Sequence, residues 1–71
     1  MRYFVKKPIP IRAEQQDKPF TTKTMEGTLD GKAGDYLVTG VKGEQYPVDR
    51  EIFEETYEEV DEDYFKSYFS V

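Results

Sequence analysis

The stretch Tyr36-Leu37-Val38-Thr39-Gly40-Val41-Lys42-Gly43-Glu44-Gln45-Tyr46-Pro47-Val48 decides the fold of this chain. Its first six residues are rich in aromatic and β-branched side chains, which favour strands. Tyr36 and Val38 fall on one face of that strand, and Leu37 and Val41 on the other. Apolar side chains on both faces indicate a central strand. Lys42-Gly43 is a turn signal, so residues 44–48 are predicted to return as the second arm of a hairpin.

The residues before this hairpin predict further strands joined by polar loops. Residues 20–25 are Thr-rich and strand-like, and Glu26-Gly27 favours a hairpin turn into the next short strand. Residues 9–13 place Ile and Ala on one alternating face. Pro8 and Pro10 cannot donate ladder hydrogen bonds, so this segment is predicted to be an edge strand or an extended arm. The β-favouring residues 3–5 open the chain.

The residues after the hairpin predict helices. Asp49 is a suitable N-cap for a short helix over residues 50–55, with Ile52 and Phe53 facing the sheet. Residues 56–60 are predicted to form a closing strand with the Tyr57 side chain inward. Asp61 is a suitable N-cap for a second helix over residues 62–69, and the acids that follow it suit the positive end of the helix dipole.

Together these elements predict a small α+β domain dominated by β-structure. Four or five short antiparallel strands form a partly open barrel, one short helix crosses it, and a C-terminal helix follows. Residues 1–60 form the β-rich domain, and residues 61–71 form an acidic, aromatic, helical tail. The predicted core consists of Tyr3, Val5, Ile9, Ile11, Phe20, Met25, Leu29, Tyr36, Val38, Val41, Tyr46, Ile52, Phe53 and Tyr57.

Composition excludes several function classes. The 71 residues suffice for one small domain and contain neither Cys nor His. Disulfides, the usual zinc sites and the Ser-His or Cys-His nucleophile pairs therefore have no residues to form them. No catalytic residue, metal site or cofactor is predicted, and the chain is not expected to be an enzyme. The first residues have no long apolar region, and no apolar run approaches a membrane span, so a cytoplasmic location without membrane contact is expected.

The distribution of charge is the clearest functional signal. Residues 1–35 carry seven Lys or Arg and five Asp or Glu, whereas residues 36–71 carry three and ten, which gives +2 and −7. A solvated face that keeps a small protein soluble is the plain interpretation. The functional one is a surface that binds a basic partner protein, with aromatic anchors beside the charges. The predicted partner-binding residues are Glu54, Glu55, Glu58, Glu59, Asp61, Glu62, Asp63, Tyr64, Phe65, Tyr68 and Phe69.

Two alternatives stay open at this stage. The first is a small-molecule or nucleotide-binding module, with Tyr36 and Tyr46 as stacking residues in the barrel mouth. The second concerns the tail, whose four aromatic rings can pack on the domain as core or join two copies into a homodimer. Direct nucleic-acid binding is not expected, because the basic cluster near the start is small and the chain is acidic overall.

The stretch from Gly31 to Glu58 resembles the PGDYG family, small uncharacterised proteins of bacteria and bacteriophages. The matching segments are Met25-Glu26-Gly27, Ala33-Gly34-Asp35-Tyr36-Leu37, Gly40-Val41-Lys42-Gly43-Glu44-Gln45-Tyr46-Pro47 and Ile52-Phe53-Glu54-Glu55-Thr56-Tyr57-Glu58. The opening Tyr3-Phe4-Val5-Lys6-Lys7-Pro8, with Ile11 and Ala13, also looks like the start of that family. Together the matches cover most of residues 3–58.

The chain departs from the family pattern at three positions. Ala33 stands where the name-giving motif has Pro, Leu37 where it has Gly, and Val48 where many relatives have Cys. The resemblance implies a phage or prophage setting and brings no activity, ligand or partner. In that setting an acidic binding protein is expected to inhibit a host nucleic-acid-handling or defence protein as a DNA mimic does. The tail after Val60 lies outside the common core of the family.

Overall fold

The structure is a computed structural model that describes residues 1–70, which form five strands and two helices. The strands are β1 (Arg12–Gln15), β2 (Phe20–Thr24), β3 (Gly27–Gly31), β4 (Tyr36–Thr39) and β5 (Gln45–Val48). The helices are α1 (Arg50–Thr56) and α2 (Glu62–Phe69). Val71, the last residue of the predicted tail, lies outside the described residues.

The strands form two antiparallel sheets, one with the order β1-β4-β5 and one with the order β2-β3. The prediction of a small β-dominated domain with two helices is therefore confirmed. The two sheets do not close into a barrel, so the partly open barrel stays a prediction. Within residues 1–70, no helix has the length and apolar character needed to cross a membrane.

Strand β4 lies in the middle of its sheet, as its two apolar faces predict. On the β1 side, Gln16 N donates to Asp35 O at 2.9 Å, and on the β5 side, Gly40 N donates to Glu44 O at 2.8 Å. Because backbone groups alternate in direction along a strand, odd-numbered residues of β4 bond to β1 and even-numbered residues bond to β5. Pro47 lies opposite Leu37. Its nitrogen therefore points away from β4, and the sheet loses no hydrogen bond there.

Strand β1 begins later than predicted, at Arg12. Continuing the register that pairs Arg12 with Thr39 would place Pro10 opposite Val41. In that position the backbone faces β4, and proline has no N–H to donate. Of the residues 9–13, predicted as an edge strand or an extended arm, only Arg12 and Ala13 belong to β1. Residues 1–11, the N-terminal arm, belong to no strand, and Ile9 N donates to Lys7 O at 2.8 Å in a tight turn.

The core is much smaller than predicted, because the elements are short and one sheet is rich in Gly and Thr. Val38 is the buried hydrophobic residue among residues 1–70. Six other predicted core residues are half-buried, namely Ile11, Phe20, Tyr36, Tyr46, Phe53 and Tyr57. The prediction is wrong for seven residues, which are exposed. They lie in the N-terminal arm, in the β2–β3 hairpin, after β4 or on the outer side of α1, and they are Tyr3, Val5, Ile9, Met25, Leu29, Val41 and Ile52.

Helix α1 begins as predicted and ends without the predicted closing strand. The Asp49 carboxylate accepts hydrogen bonds from Glu51 N at 3.0 Å and Ile52 N at 3.3 Å, which confirms the N-cap. Thr56 extends the helix by one residue, and its hydroxyl donates to Ile52 O at 2.7 Å. Tyr57 then caps the helix through its own N–H, which donates to Phe53 O at 2.9 Å. Residues 57–61 belong to no strand, so that prediction is wrong.

A buried carboxylate fixes α1 to the loop before β4. Asp35 accepts hydrogen bonds from Lys32 N at 2.9 Å and from Arg50 N at 3.2 Å. The first bond closes the loop between β3 and β4, and the second ties that loop to the first residue of α1. The start of the helix is therefore held by two carboxylates, those of Asp35 and Asp49.

Candidate protein-binding surface

An aromatic stack holds α1 against the sheet. The ring centroids of Tyr36 and Phe53 lie 3.9 Å apart, and those of Phe53 and Tyr57 lie 4.7 Å apart. The Lys6 ammonium lies 4.8 Å from the centroid of the Tyr57 ring and donates to its hydroxyl. The stack therefore joins the N-terminal arm, β4 and α1, and it fixes which side of α1 faces solvent.

The pKa values of three ionisable groups in or near the stack are raised above their ordinary values. The hydrogen bond to the Tyr57 hydroxyl raises the pKa of Lys6. Desolvation raises the pKa of Tyr36 first, and the hydrogen bond from its hydroxyl to Glu54 at 3.1 Å adds to it. Burial likewise raises the pKa of Tyr46, with the neighbouring Tyr57 as the next cause. At neutral pH the lysine therefore stays charged and both tyrosines stay neutral.

The predicted acidic residues follow one another from α1 into α2. Glu54 and Glu55 lie on α1, Glu58 and Glu59 lie in the connecting segment, and Asp61 to Asp63 open α2. All seven side chains are exposed. They are consecutive acids along the chain, and Glu54 also accepts a hydrogen bond from the Tyr36 hydroxyl of the stack at 3.1 Å.

The acidic segment, residues 51–63, has few cationic neighbours. The ion pairs within residues 1–70 are Lys32–Asp49 at 3.4 Å and Glu62–Lys66 at 2.9 Å. Of the eight acids in the segment, Glu62 alone takes part in one of them. Asp61 accepts a hydrogen bond from Tyr64 N at 2.8 Å, which confirms its role as the N-cap of α2. The segment therefore presents mostly uncompensated negative charge.

Helix α2 carries the aromatic face, which consists of Tyr64, Phe65, Tyr68 and Phe69. Three of these rings form contacts: Phe65 and Phe69 are 5.0 Å apart, as the spacing of four residues predicts, and Tyr68 meets Phe69 edge-on at 5.0 Å. No residue of α2 is buried. Tyr64, Tyr68 and Phe69 expose 54%, 48% and 45% of their surface, whereas Phe65 is half-buried.

The two residues of the alternative site share one face of the sheet. Tyr46 lies opposite Val38, and Tyr36 lies two residues along β4 from Val38. One face of the Tyr36 ring is occupied by Phe53. Two shallow surface cavities, of about 460 and 340 Å³, are lined by the β2–β3 hairpin and by the outer face of β1 and β4, and neither tyrosine lines them.

Sequence reasoning missed the residues that position this surface. Lys6 and Tyr57 are 51 positions apart, and no local pattern pairs a lysine with so distant a tyrosine. Asp35 had a signal, because an aspartate after Gly34 in a turn is a common acceptor for backbone N–H groups. Its bond to Arg50 N, fifteen residues away, has no such signal.

Comparison with known proteins supplies no relative. No family model matches the chain, and neither a curated protein nor a solved structure matches it. Within residues 1–70, no group of three or more acidic side chains is placed to hold a metal ion. The functional argument therefore rests on the surface itself.

Proposed function

We propose that this chain is a non-enzymatic interaction protein whose acidic, aromatic C-terminal surface binds a basic surface on another protein. The observation that carries the proposal is the aromatic face of α2, three of whose four rings are exposed directly after the acidic segment. Aromatic rings surrounded by charge are typical of an interface centre with a polar rim. In this proposal residues 1–60 form the scaffold and residues 61–71 the anchor.

The polar interactions that stabilise α2 use none of its aromatic side chains. Asp61 caps α2, Glu62 and Asp63 interact favourably with the helix dipole, and Glu62 pairs with Lys66. Exposed aromatic clusters on small proteins are common at sites that contact another protein.

The acids add steering and selectivity. Carboxylates that lack cationic neighbours within their own chain attract a basic surface and speed encounter with it. A protein groove that normally holds nucleic-acid phosphates offers such a surface. We therefore propose inhibition of a host nucleic-acid-handling or defence protein, in the manner of a DNA mimic, as the form this binding takes in the phage or prophage setting that the family resemblance implies.

The alternative, a small-molecule or nucleotide-binding module on Tyr36 and Tyr46, receives less support. A base stacks well on an open aromatic face. Phe53 occupies one face of the Tyr36 ring, so only the other face is open to a base. This alternative also requires the partly open barrel, because the ligand would lie in its mouth, whereas the main proposal does not require a barrel. A thermal-shift panel of nucleotides and metabolites tests it, and a specific rise in melting temperature would favour it.

The main proposal is tested by affinity capture from host lysate at low and high salt. We expect one basic protein to be retained at low salt and released at high salt, because screening weakens attraction between exposed charges. Double-stranded DNA added to the lysate should compete for that protein if its phosphate-binding surface is the one occupied.

A matched pair of variants makes the test specific. Glu55→Gln, Glu58→Gln and Glu59→Gln remove three exposed charges from the acidic segment. Asp17→Asn, Glu26→Gln and Asp30→Asn remove three exposed charges from the other half of the chain. The first set should abolish capture and the second should leave it intact. Equal loss with both sets would show that only net charge matters and would contradict a defined binding surface.

A further inference from the structure

The outer edge of β1 is a second surface, separate from the one proposed above. Strand β1 pairs with β4 on one side, and within residues 1–70 no strand pairs with its other side. All four of its side chains are exposed. The backbone direction set by the bond from Gln16 N to Asp35 O turns the even-numbered residues of β1 toward β4. The amide groups of Ala13 and Gln15 therefore point outward.

Proline does not block this outer edge. Pro10 occupies an even position, where a missing N–H affects the side that faces β4, and Pro8 lies before this edge in the turn closed by Ile9 N and Lys7 O. Ile11, Ala13 and Gln15 all keep an N–H and a carbonyl for a further strand. Proline and charged side chains commonly protect natural edge strands from pairing with another chain. In β1 the charges of Arg12 and Glu14 instead restrict which strand can pair with it.

The charges of Arg12 and Glu14 select one register for a second copy of β1. Antiparallel pairing needs outward amides opposite outward amides, so three registers are available within this short strand. Placing the two-fold axis at Arg12 sets two arginines opposite each other, and placing it at Glu14 sets two glutamates opposite each other. Placing it at Ala13 sets each Arg12 opposite the Glu14 of the other copy.

We propose that β1 pairs antiparallel with β1 of a second copy, about a two-fold axis at Ala13. The two Ala13 residues exchange their backbone hydrogen bonds, and Ile11 bonds with Gln15 of the other copy on either side. Arg12 and Glu14 then form pairs without backbone bonds, where side chains lie closest, with Cα atoms about 4.5 Å apart. The result is one continuous sheet with three strands from each copy.

The contact is small, so the dimer is a weak one that forms at high protein concentration. Stable interfaces bury about 1,200–2,000 Å² in total, more than a four-residue strand supplies. Its specificity comes from the opposite charges, since like charges directly opposite each other on paired strands are destabilising. Neither ion pair in the described residues involves Arg12 or Glu14, so both side chains are available.

Sedimentation velocity of the full chain from about 20 μM to about 1 mM tests the proposal, because that range spans weak association. We expect a concentration-dependent dimer. Arg12→Glu alone and Glu14→Arg alone should each weaken it about tenfold, since two attractive pairs become repulsive. The double variant Arg12→Glu with Glu14→Arg should restore it, because the opposite charges again face each other. Circular dichroism checks that each variant folds.

Amide hydrogen exchange gives a second readout that does not depend on variants. The amides of Ile11, Ala13 and Gln15 should gain protection as concentration rises, while those of Arg12 and Glu14 should be protected throughout by β4. A monomer at about 1 mM, a dimer that ignores the charge reversals, or a dimer lost on Tyr64→Ala with Tyr68→Ala would each overturn the proposal. The last result would assign dimerisation to the aromatic face instead.

Discussion

At the scale of single residues, three aspartates and three glutamates of this chain have different structural roles. Asp35, Asp49 and Asp61 accept hydrogen bonds from backbone N–H groups and hold the starts of elements. Glu55, Glu58 and Glu59 are exposed and lie outside both ion pairs of the described residues. Removing an aspartate of the first kind changes folding, whereas removing one of these glutamates changes the surface.

Asp35→Ala is expected to lower the free energy of unfolding by about 1–3 kcal/mol, because the N–H groups of Lys32 and Arg50 lose a buried acceptor. A domain of this size has only about 3–5 kcal/mol in total, so the loss would be large. Urea unfolding measures it. Asp30→Ala, at an exposed site on β3, is the matched control and should stay within about 0.5 kcal/mol of the unsubstituted chain. Equal stability of the two variants would contradict the structural role of Asp35.

At the scale of elements, an aromatic stack ties α1 to the sheet, and within residues 1–70 no such stack joins α2 to it. Phe53→Ala is expected to cost about 2 kcal/mol, somewhat less than the loss of a fully buried ring, because Phe53 is half-buried between Tyr36 and Tyr57. Phe69→Ala in α2 is the matched control and should leave the unfolding of the domain unchanged. Chemical denaturation of both variants gives the comparison, and a similar loss from Phe69→Ala would mean that α2 packs as core.

Deleting residues 61–71 is expected to leave a domain that still unfolds cooperatively, because three of the four aromatic side chains of α2, those of Tyr64, Tyr68 and Phe69, are exposed. The midpoint of urea unfolding should change little relative to the full chain. Loss of the cooperative transition would show that the tail is part of the core, and it would remove the basis for treating the tail as an anchor.

Local sequence signals predicted most of the helices and strands. The core residues and the closing strand were predicted less well, because they depend on contacts between residues far apart in the sequence. Asp49 and Asp61 were predictable as caps because an N-cap acts on residues two or three positions away. The prediction of a closing strand at 56–60 is wrong because Tyr57 ends α1 and stacks on Phe53, while Lys6, 51 positions earlier in the chain, donates to the Tyr57 hydroxyl. The core prediction fails for Tyr3 and Val5 because apolar composition does not show that the arm before Pro8 lies outside every strand.

At the scale of the whole molecule, the net charge of −5 predicts how stability varies with pH. Self-repulsion is stronger in the compact chain than in the unfolded one, so partial protonation from pH 7 to about 5 should raise the melting temperature modestly. Protonation of Asp49 has the opposite effect on folding stability. Its pKa is lowered chiefly by the hydrogen bond from Ile52 N, so its stabilisation is present above its unfolded pKa and is lost as pH falls through the lower folded value.

Stability should therefore peak near pH 5 and fall below about pH 4, because the aspartate then takes up its proton in the unfolded chain before it does so in the folded one, where the pKa of Asp49 is lowered. Melting curves followed by circular dichroism between pH 3 and 7 check this. A melting temperature that does not change from pH 7 to 5 would mean that cationic side chains already compensate the acidic segment. That result would contradict the observation that only Glu62 of this segment forms an ion pair.

The central claim is that the acidic, aromatic C-terminal surface binds a basic protein. The direct test is the affinity of the captured partner for the full chain and for residues 1–60, measured by titration calorimetry at one low salt concentration. We expect the truncation to weaken binding about 100-fold or more, because an aromatic anchor at an interface centre contributes about 2 kcal/mol or more. A folded truncation that binds within about threefold of the full chain would contradict the claim.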